Sequence, residues 1–306
     1  MFPAHSVLLS RWLLSSERGW ASAQGELAIS LASIAAPLLI ASLNTAVGWQ
    51  AGFYSVGSCC LLYVAFVWLR LAASSPALCS YVTKEELAQI QSHGDSSTAS
   101  KPAAQASATA PVSWVRVLLH PAIIALFSCH AIYNLTTLSI NSWMPSYYND
   151  VLHLRPDEAR LHLTVPHITA IGIKLSVSGL AERTRARGLS LLGSRRLMCA
   201  VGYAITGVPM LLVPLLSAGP AWLSTLCFSI ALAGTGFHAE GFRANYLDVT
   251  REHVGLVSGV GNCLSSVAAM VAPLIVGSLV EAFGWPIVWR AVSAGCGKDS
   301  RGARGA

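Results

Sequence analysis

Charge is scarce in these 306 residues: Asp, Glu, Lys and Arg make up 11%, against roughly a quarter of an ordinary soluble domain, and 54% are hydrophobic. With a mean hydropathy of +0.56, that balance excludes a water-soluble globule and predicts an integral membrane protein. The eight cysteines form no C-x-x-C pair and no metal-ligand spacing, so they read as small apolar packing residues, and no metal or other cofactor is expected. H-E-x-x-H, G-x-S-x-G and the P-loop are all missing, which removes the common signatures of metalloprotease, hydrolase and nucleotide chemistry; no paired catalytic groups stand out and no enzyme is expected. There is no basic n-region followed by a small-residue cleavage site, so no targeting segment is expected within the chain. The net charge of +6 brings nucleic acid to mind, but the bases fall in short loops between apolar runs rather than on one exposed face, so nucleic-acid binding is not expected.

What is present is a series of apolar runs. A hydrocarbon core of roughly 30 Å requires roughly 20 helical residues. Residues 20–44, 50–73, 117–140, 161–180, 197–217, 221–246 and 255–283 meet that length, giving seven expected spans. Residues 1–14 are too short and read as part of a further helix, and the run from Trp285 is expected to dissolve at Gly295 into a polar tail, 296–306. Residues 74–116, rich in Ser, Ala and Gln, read as a linker between an N-terminal bundle (1–73) and a C-terminal bundle (117–295); only Thr83 with Glu86, a capping-box spacing, predicts a short helix there. Gly234, Gly236, Gly241, Gly255, Gly259 and Gly261 predict close helix–helix approach around a polar hinge at 247–253.

Basic residues set the orientation. Arg11 and Arg18, then Lys84, Lys101 and Arg116, then Arg183, Arg185, Arg187, Arg195 and Arg196 occupy every second connection, whereas 45–49 and 217–220 carry no charge. The linker and the arginine-rich 182–196 stretch are therefore expected on the cytosolic side, or its equivalent in an organelle.

Several stretches resemble the anion:cation symporter family of the major facilitator superfamily, which includes sodium/phosphate cotransporters, vesicular glutamate transporters and plant plastid phosphate or ascorbate carriers. FPAHSVLLSRW with SER, then GWQAGFYSVGS, is similar to that family's fourth to sixth helices; NSWMPSYYNDVL to the end of its seventh; RGLSLLGSRRLM to the loop between its eighth and ninth; and Asn245, Asp248, Gly259 and Asn262 to the N-x-x-D and G-x-x-N of its tenth and eleventh. The resemblance implies an all-α polytopic membrane bundle, an incomplete major facilitator fold covering about helices four to eleven plus part of twelve. It implies secondary active transport of phosphate or a small organic anion by alternating access, coupled to H+ or Na+, in a plastid or plasma membrane. Tyr133 stands where glutamate carriers have an arginine, and Arg251, Glu252 and His253 replace the family's Pro-Arg-Tyr, which favours phosphate or another small anion over glutamate. The other open reading is a truncated, transport-inactive membrane scaffold or an incomplete gene model of such a carrier.

An ionisable group at a helix centre costs about 2.5 to 3.5 kcal/mol on insertion scales, so such groups tend to face a cavity or a partner. Lys174 is either an anion-attracting cation or a pairing residue, with Glu240 as the expected partner. His130 is either a coupling group that titrates near neutral pH or a packing residue, and Asn134 lies one turn on. Glu240 and Arg243, three apart, either line the pathway or pair with each other. Glu26 reads as interfacial. Arg18, Arg187, Arg195, Arg196, Asn245, Asp248 and Asn262 are expected to gate, with Arg251 in reach of Asp248.

Overall fold

The computed structural model describes residues 2–14, 17–69, 73, 75–95, 114–249 and 253–302, and among these every regular element is a helix. The first group comprises α1 (Phe2–Trp12), α2 (Arg18–Ala46) and α3 (Gln50–Tyr63), which ends in a π-helical turn, Val64–Trp68. A short helix, α4 (Lys84–Asp95), follows; the Glu86 amide donates to Thr83 Oγ1 at 3.2 Å, the cap that the spacing predicts. After α5 (Trp114–Leu118) comes the second group: α6 (Pro121–Asp150), α7 (Pro156–Ala186), α8 (Leu191–Leu212), α9 (Ala221–Thr235), α10 (Phe242–Val249), α11 (Val254–Phe283) and α12 (Trp285–Gly302). Arg251, Glu252 and Lys101, with 96–113 of the expected linker, lie outside the described residues.

Gln50–Trp68, Pro121–Asp150, Glu158–Ala186, Leu191–Leu216 and Val254–Phe283 are long and apolar enough to cross a bilayer. Phe53, Tyr54, Leu61, Leu62, Phe66 and Leu69 of the α3 region are all more than half exposed, a surface suited to hydrocarbon and not to water. This is an all-α, multi-pass membrane helix bundle.

Three elements differ from the sequence reading, each for a local reason. The expected span 221–246 is broken: α9 ends at Thr235, a 3₁₀ turn covers Gly236–Ala239, and α10 starts afresh at Phe242. Glycine is a poor helix former, and the Glu240 carbonyl is taken by Arg195 at 3.0 Å, outside any helical ladder. The basic stretch 182–196 is mostly helix. α7 runs to Ala186, Gly188 turns the chain at φ +94°, and the Ser190 hydroxyl accepts from the Gly193 amide to cap α8, leaving only 187–190 as connection. Finally, α12 continues past Gly295 to Gly302, with Trp289, Val292 and Cys296 buried along one side.

Within the second group α11 packs along α6, α9 lies between α7 and α8, and α12 lies on α8. The first group joins it through α2 on α7 and α1 on α11. Five of the six hinge-region glycines sit at close approaches, and only Gly259 faces open space. A Cβ at Gly234 would lie 2.8 Å from the Thr206 amide nitrogen and 2.9 Å from the Gly202 carbonyl oxygen, both backbone atoms of α8. Gly234→Ala is therefore expected to push α8 and α9 apart and lower the thermal unfolding midpoint by several degrees in detergent, whereas Gly259→Ala leaves it unchanged.

Candidate functional site

Two tiers of buried charge sit where α2 meets the second group. On α2, Arg18 and Glu26 are eight residues apart, about 12 Å along the axis. Each anchors one tier.

In the inner tier Glu26, only 4% exposed, is held by three groups from three helices. Arg243 Nη1 of α10 lies 3.0 Å from Oε1, and Lys174 Nζ of α7 lies 3.5 Å from Oε2. The Tyr133 hydroxyl of α6 donates to Oε2 at 3.2 Å. Lys174 also donates to the Glu26 carbonyl at 3.1 Å and to Ser30 Oγ at 2.8 Å, and the Arg243 guanidinium lies 5.0 Å from the Tyr133 ring centroid. The arrangement brings two cations to one carboxylate. Glu26 and Arg243 form part of the wall of a cavity of about 240 Å³ between α1, α2 and α10, which His5, Ser6 and Ser22 also line.

The outer tier belongs to the arginine-bearing end. Arg195 of α8, 3% exposed, reaches the Glu240 carboxylate at 2.6 Å and Asp248 at 3.2 Å. Arg18 stands 4.0 Å from Asp248 and donates to the carbonyls of Leu247 at 3.3 Å and Ser10 at 3.1 Å. Here two cations meet two carboxylates. Gly19 presses so closely on the Glu240 carboxylate that a Cβ would overlap it.

Several expected pairings are corrected by this geometry. Lys174 pairs with Glu26, not with Glu240. Glu240 and Arg243 do not pair with each other: Glu240 precedes α10 in a non-helical turn, so the side chains leave in different directions, one to Arg195 and the other to Glu26. Glu26, read from the sequence as interfacial, is buried at the centre of the inner tier. The same cost argument that marks Lys174 would have found it, because Glu26 is the one charged residue of 20–44.

The remaining expected residues lie apart. His130 is buried, sharing a hydrogen bond of 3.2 Å with the Tyr246 hydroxyl and packing on Phe242, and it does not line the inner-tier cavity. Asn134 is half-buried on α6, and Asn262 is half-buried on α11 with its carbonyl accepting from Ser265. Arg187 is exposed at the C-cap of α7; Arg196 and Asn245 are half-buried beside a second cavity. Among the described residues no group of three or more His, Cys, Asp or Glu side chains could hold a metal ion.

A sequence profile described as Major Facilitator Superfamily matches residues 1–247. The chain is 27% identical over 293 residues to "Ascorbate transporter, chloroplastic" of Arabidopsis thaliana, covering 95% of this chain and 52% of that protein. It is 26% identical over 288 residues to "Sodium-dependent phosphate transport protein 1, chloroplastic" of the same plant, covering 94% and 54%. It is 24% identical over 282 residues to "Vesicular glutamate transporter 1" of Xenopus tropicalis, covering 92% and 48%. The chain spans about half the length of these curated relatives.

Proposed function

We propose that this chain, which belongs to the Major Facilitator Superfamily and is similar to its anion:cation symporters, carries inorganic phosphate or a small organic anion across a membrane by alternating access, coupled to H+ or Na+. The observation that carries the reading is the convergence of Lys174, Arg243 and the Tyr133 hydroxyl on one buried carboxylate that borders a cavity. Buried charge is tolerated when it is paired, and here Lys174 and Arg243 share the single carboxylate of Glu26. A solute anion offers those donors the same kind of oxygen acceptor as the Glu26 carboxylate. The outer tier is already balanced and fits a latch, whose charges pair in one state and separate in the other.

The chemistry is electrostatic throughout and makes no covalent bond. An anion entering the cavity takes one or more donors of Arg243, Lys174 and Tyr133, while Glu26 gives them up. A proton or Na+ on Glu26 lowers the cost of that exchange, because the carboxylate is left with a positive partner when the cations turn to the solute. Glu26 belongs to α2 and the cations to α7 and α10, so the exchange also alters the grip of the first group on the second. The names of the relatives support a plastid membrane and suggest phosphate, ascorbate and glutamate as the anions to try.

The full chain reconstituted in liposomes is expected to accumulate labelled phosphate or ascorbate under an imposed pH or sodium gradient. Glutamate, where Tyr133 replaces a cation, is expected to be the poorest of the three. No uptake of any anion under either gradient overturns the reading and leaves a membrane scaffold.

A further inference from the structure

A second cavity, of about 360 Å³, lies inside the second helix group between α6, α8 and α10 and includes no residue of α1–α3. It is thus separate from the inner tier. Its wall is two-natured. Ala122, Ala125, Leu126, Leu192, Phe242 and Val249 supply an apolar lining, while Arg195, Arg196, Asn245 and Ser128 supply polar groups. Ala122 and Ala125 belong to the first turns of α6, and Leu192, Arg195 and Arg196 to the first turns of α8. The cavity therefore opens toward the end that the arginines predict to face the cytosol and reaches inward to Cys129 and Cys199.

Its cations are under-used. Arg196 is half-buried and makes no hydrogen bond or ion pair among the described residues. Arg195 spends Nε and Nη1 on the outer tier, and its buried Nη2 has no partner among the described residues. A buried donor left unsatisfied calls for an explanation, and a bound acceptor supplies one. The volume is within the range of ligand pockets, and a basic pocket between membrane helices on the cytosolic side suits an anionic headgroup.

We propose that this cavity binds an anionic phospholipid, whose phosphate is held by Arg196 and Arg195 and whose apolar part lies against Ala125, Leu126 and Phe242. A free phosphate ion would use the arginines and leave the apolar wall bare, so the combination of the two favours the lipid. The site shares Arg195 with the outer tier and no residue with the inner tier.

Cys129 lines the same cavity and provides the readout, with the exposed Cys263 of α11 as internal control. The full chain is reconstituted in phosphatidylcholine with or without phosphatidylglycerol, and alkylation of both thiols by N-ethylmaleimide is followed by mass spectrometry. Phosphatidylglycerol is expected to slow labelling of Cys129 at least fivefold without changing Cys263, while millimolar inorganic phosphate in phosphatidylcholine alone has no effect. Arg196→Gln is expected to remove the protection, and Ala125→Leu, which fills the cavity, to slow Cys129 in either lipid. Equal Cys129 rates in the two lipids, protection by inorganic phosphate alone, or protection that survives Arg196→Gln with Cys263 labelling unchanged would each overturn the proposal.

Discussion

Glu26→Gln is expected to reduce gradient-driven anion uptake by roughly 100-fold, equivalent to about 2.7 kcal/mol. The substitution keeps the size of the side chain and its acceptor oxygen and removes only the charge. Lys174 and Arg243 then remain buried beside a neutral group. Breaking a buried pair in this way costs about 3 to 5 kcal/mol, so the unfolding midpoint in detergent falls as well. A second variant separates stability from transport. Glu26→Gln with Lys174→Met leaves Arg243 as the one cation of the inner tier, restoring the net charge of the native set, and is expected to recover most of the lost thermal stability. Uptake stays low in the double variant, because the carboxylate that exchanges with the solute is still missing. Native uptake in either variant would remove Glu26 from the mechanism.

That Glu26 holds this position was only partly legible in the sequence. The spans could be read because hydrocarbon thickness sets a length and the apolar runs meet it; the short connections 45–49 and 217–220 fall where expected, between α2 and α3 and ahead of α9. The break at Gly236–Ala239 is not read from the length of the apolar run, which makes 221–246 one span although Phe242–Val249 is much more polar than Ala221–Thr235. It depends on Arg195 taking the Glu240 carbonyl, a contact across 45 positions. The same holds for the pairing of charge. Glu240 and Arg243 are neighbours in sequence and would pair on a continuous helix, whereas the partner of Lys174 lies 148 positions away and is chosen by how α2 packs on α7. Spacing rules reach one turn of a helix. Arg195 shows the other side of the same limit: in sequence it reads as one of several loop arginines obeying a topological bias, and it is only burial, at 3% exposed, that separates it from Arg187.

Gly19→Leu is expected to hold the arginine-bearing end open and cut net uptake by at least tenfold. The helix α2 approaches the Glu240 carboxylate so closely at Gly19 that no side chain fits between them. Glu240 cannot withdraw to make room, because Arg195 holds both its carboxylate and its carbonyl, and Arg195 is itself fixed to Asp248. The helix must therefore yield. Lifting α2 lengthens the 4.0 Å approach of Arg18 to Asp248 and separates the two helix groups at this end, while the inner tier, about 12 Å further along α2, keeps the groups proposed to bind solute. The expected signature is a carrier that still binds its anion from one side and fails to release it on the other. Spin labels at the exposed positions Glu17 and Val249 are expected to move apart in pulsed electron resonance measurements, relative to the same labels on the native background. The control is Gly57→Leu, also on the first helix group, where an added Cβ meets nothing within 4 Å and both distance and uptake should be native. If Gly19→Leu transports like the native protein, close apposition of α2 and Glu240 is not a state the carrier passes through, and the outer tier is a structural brace instead of a latch.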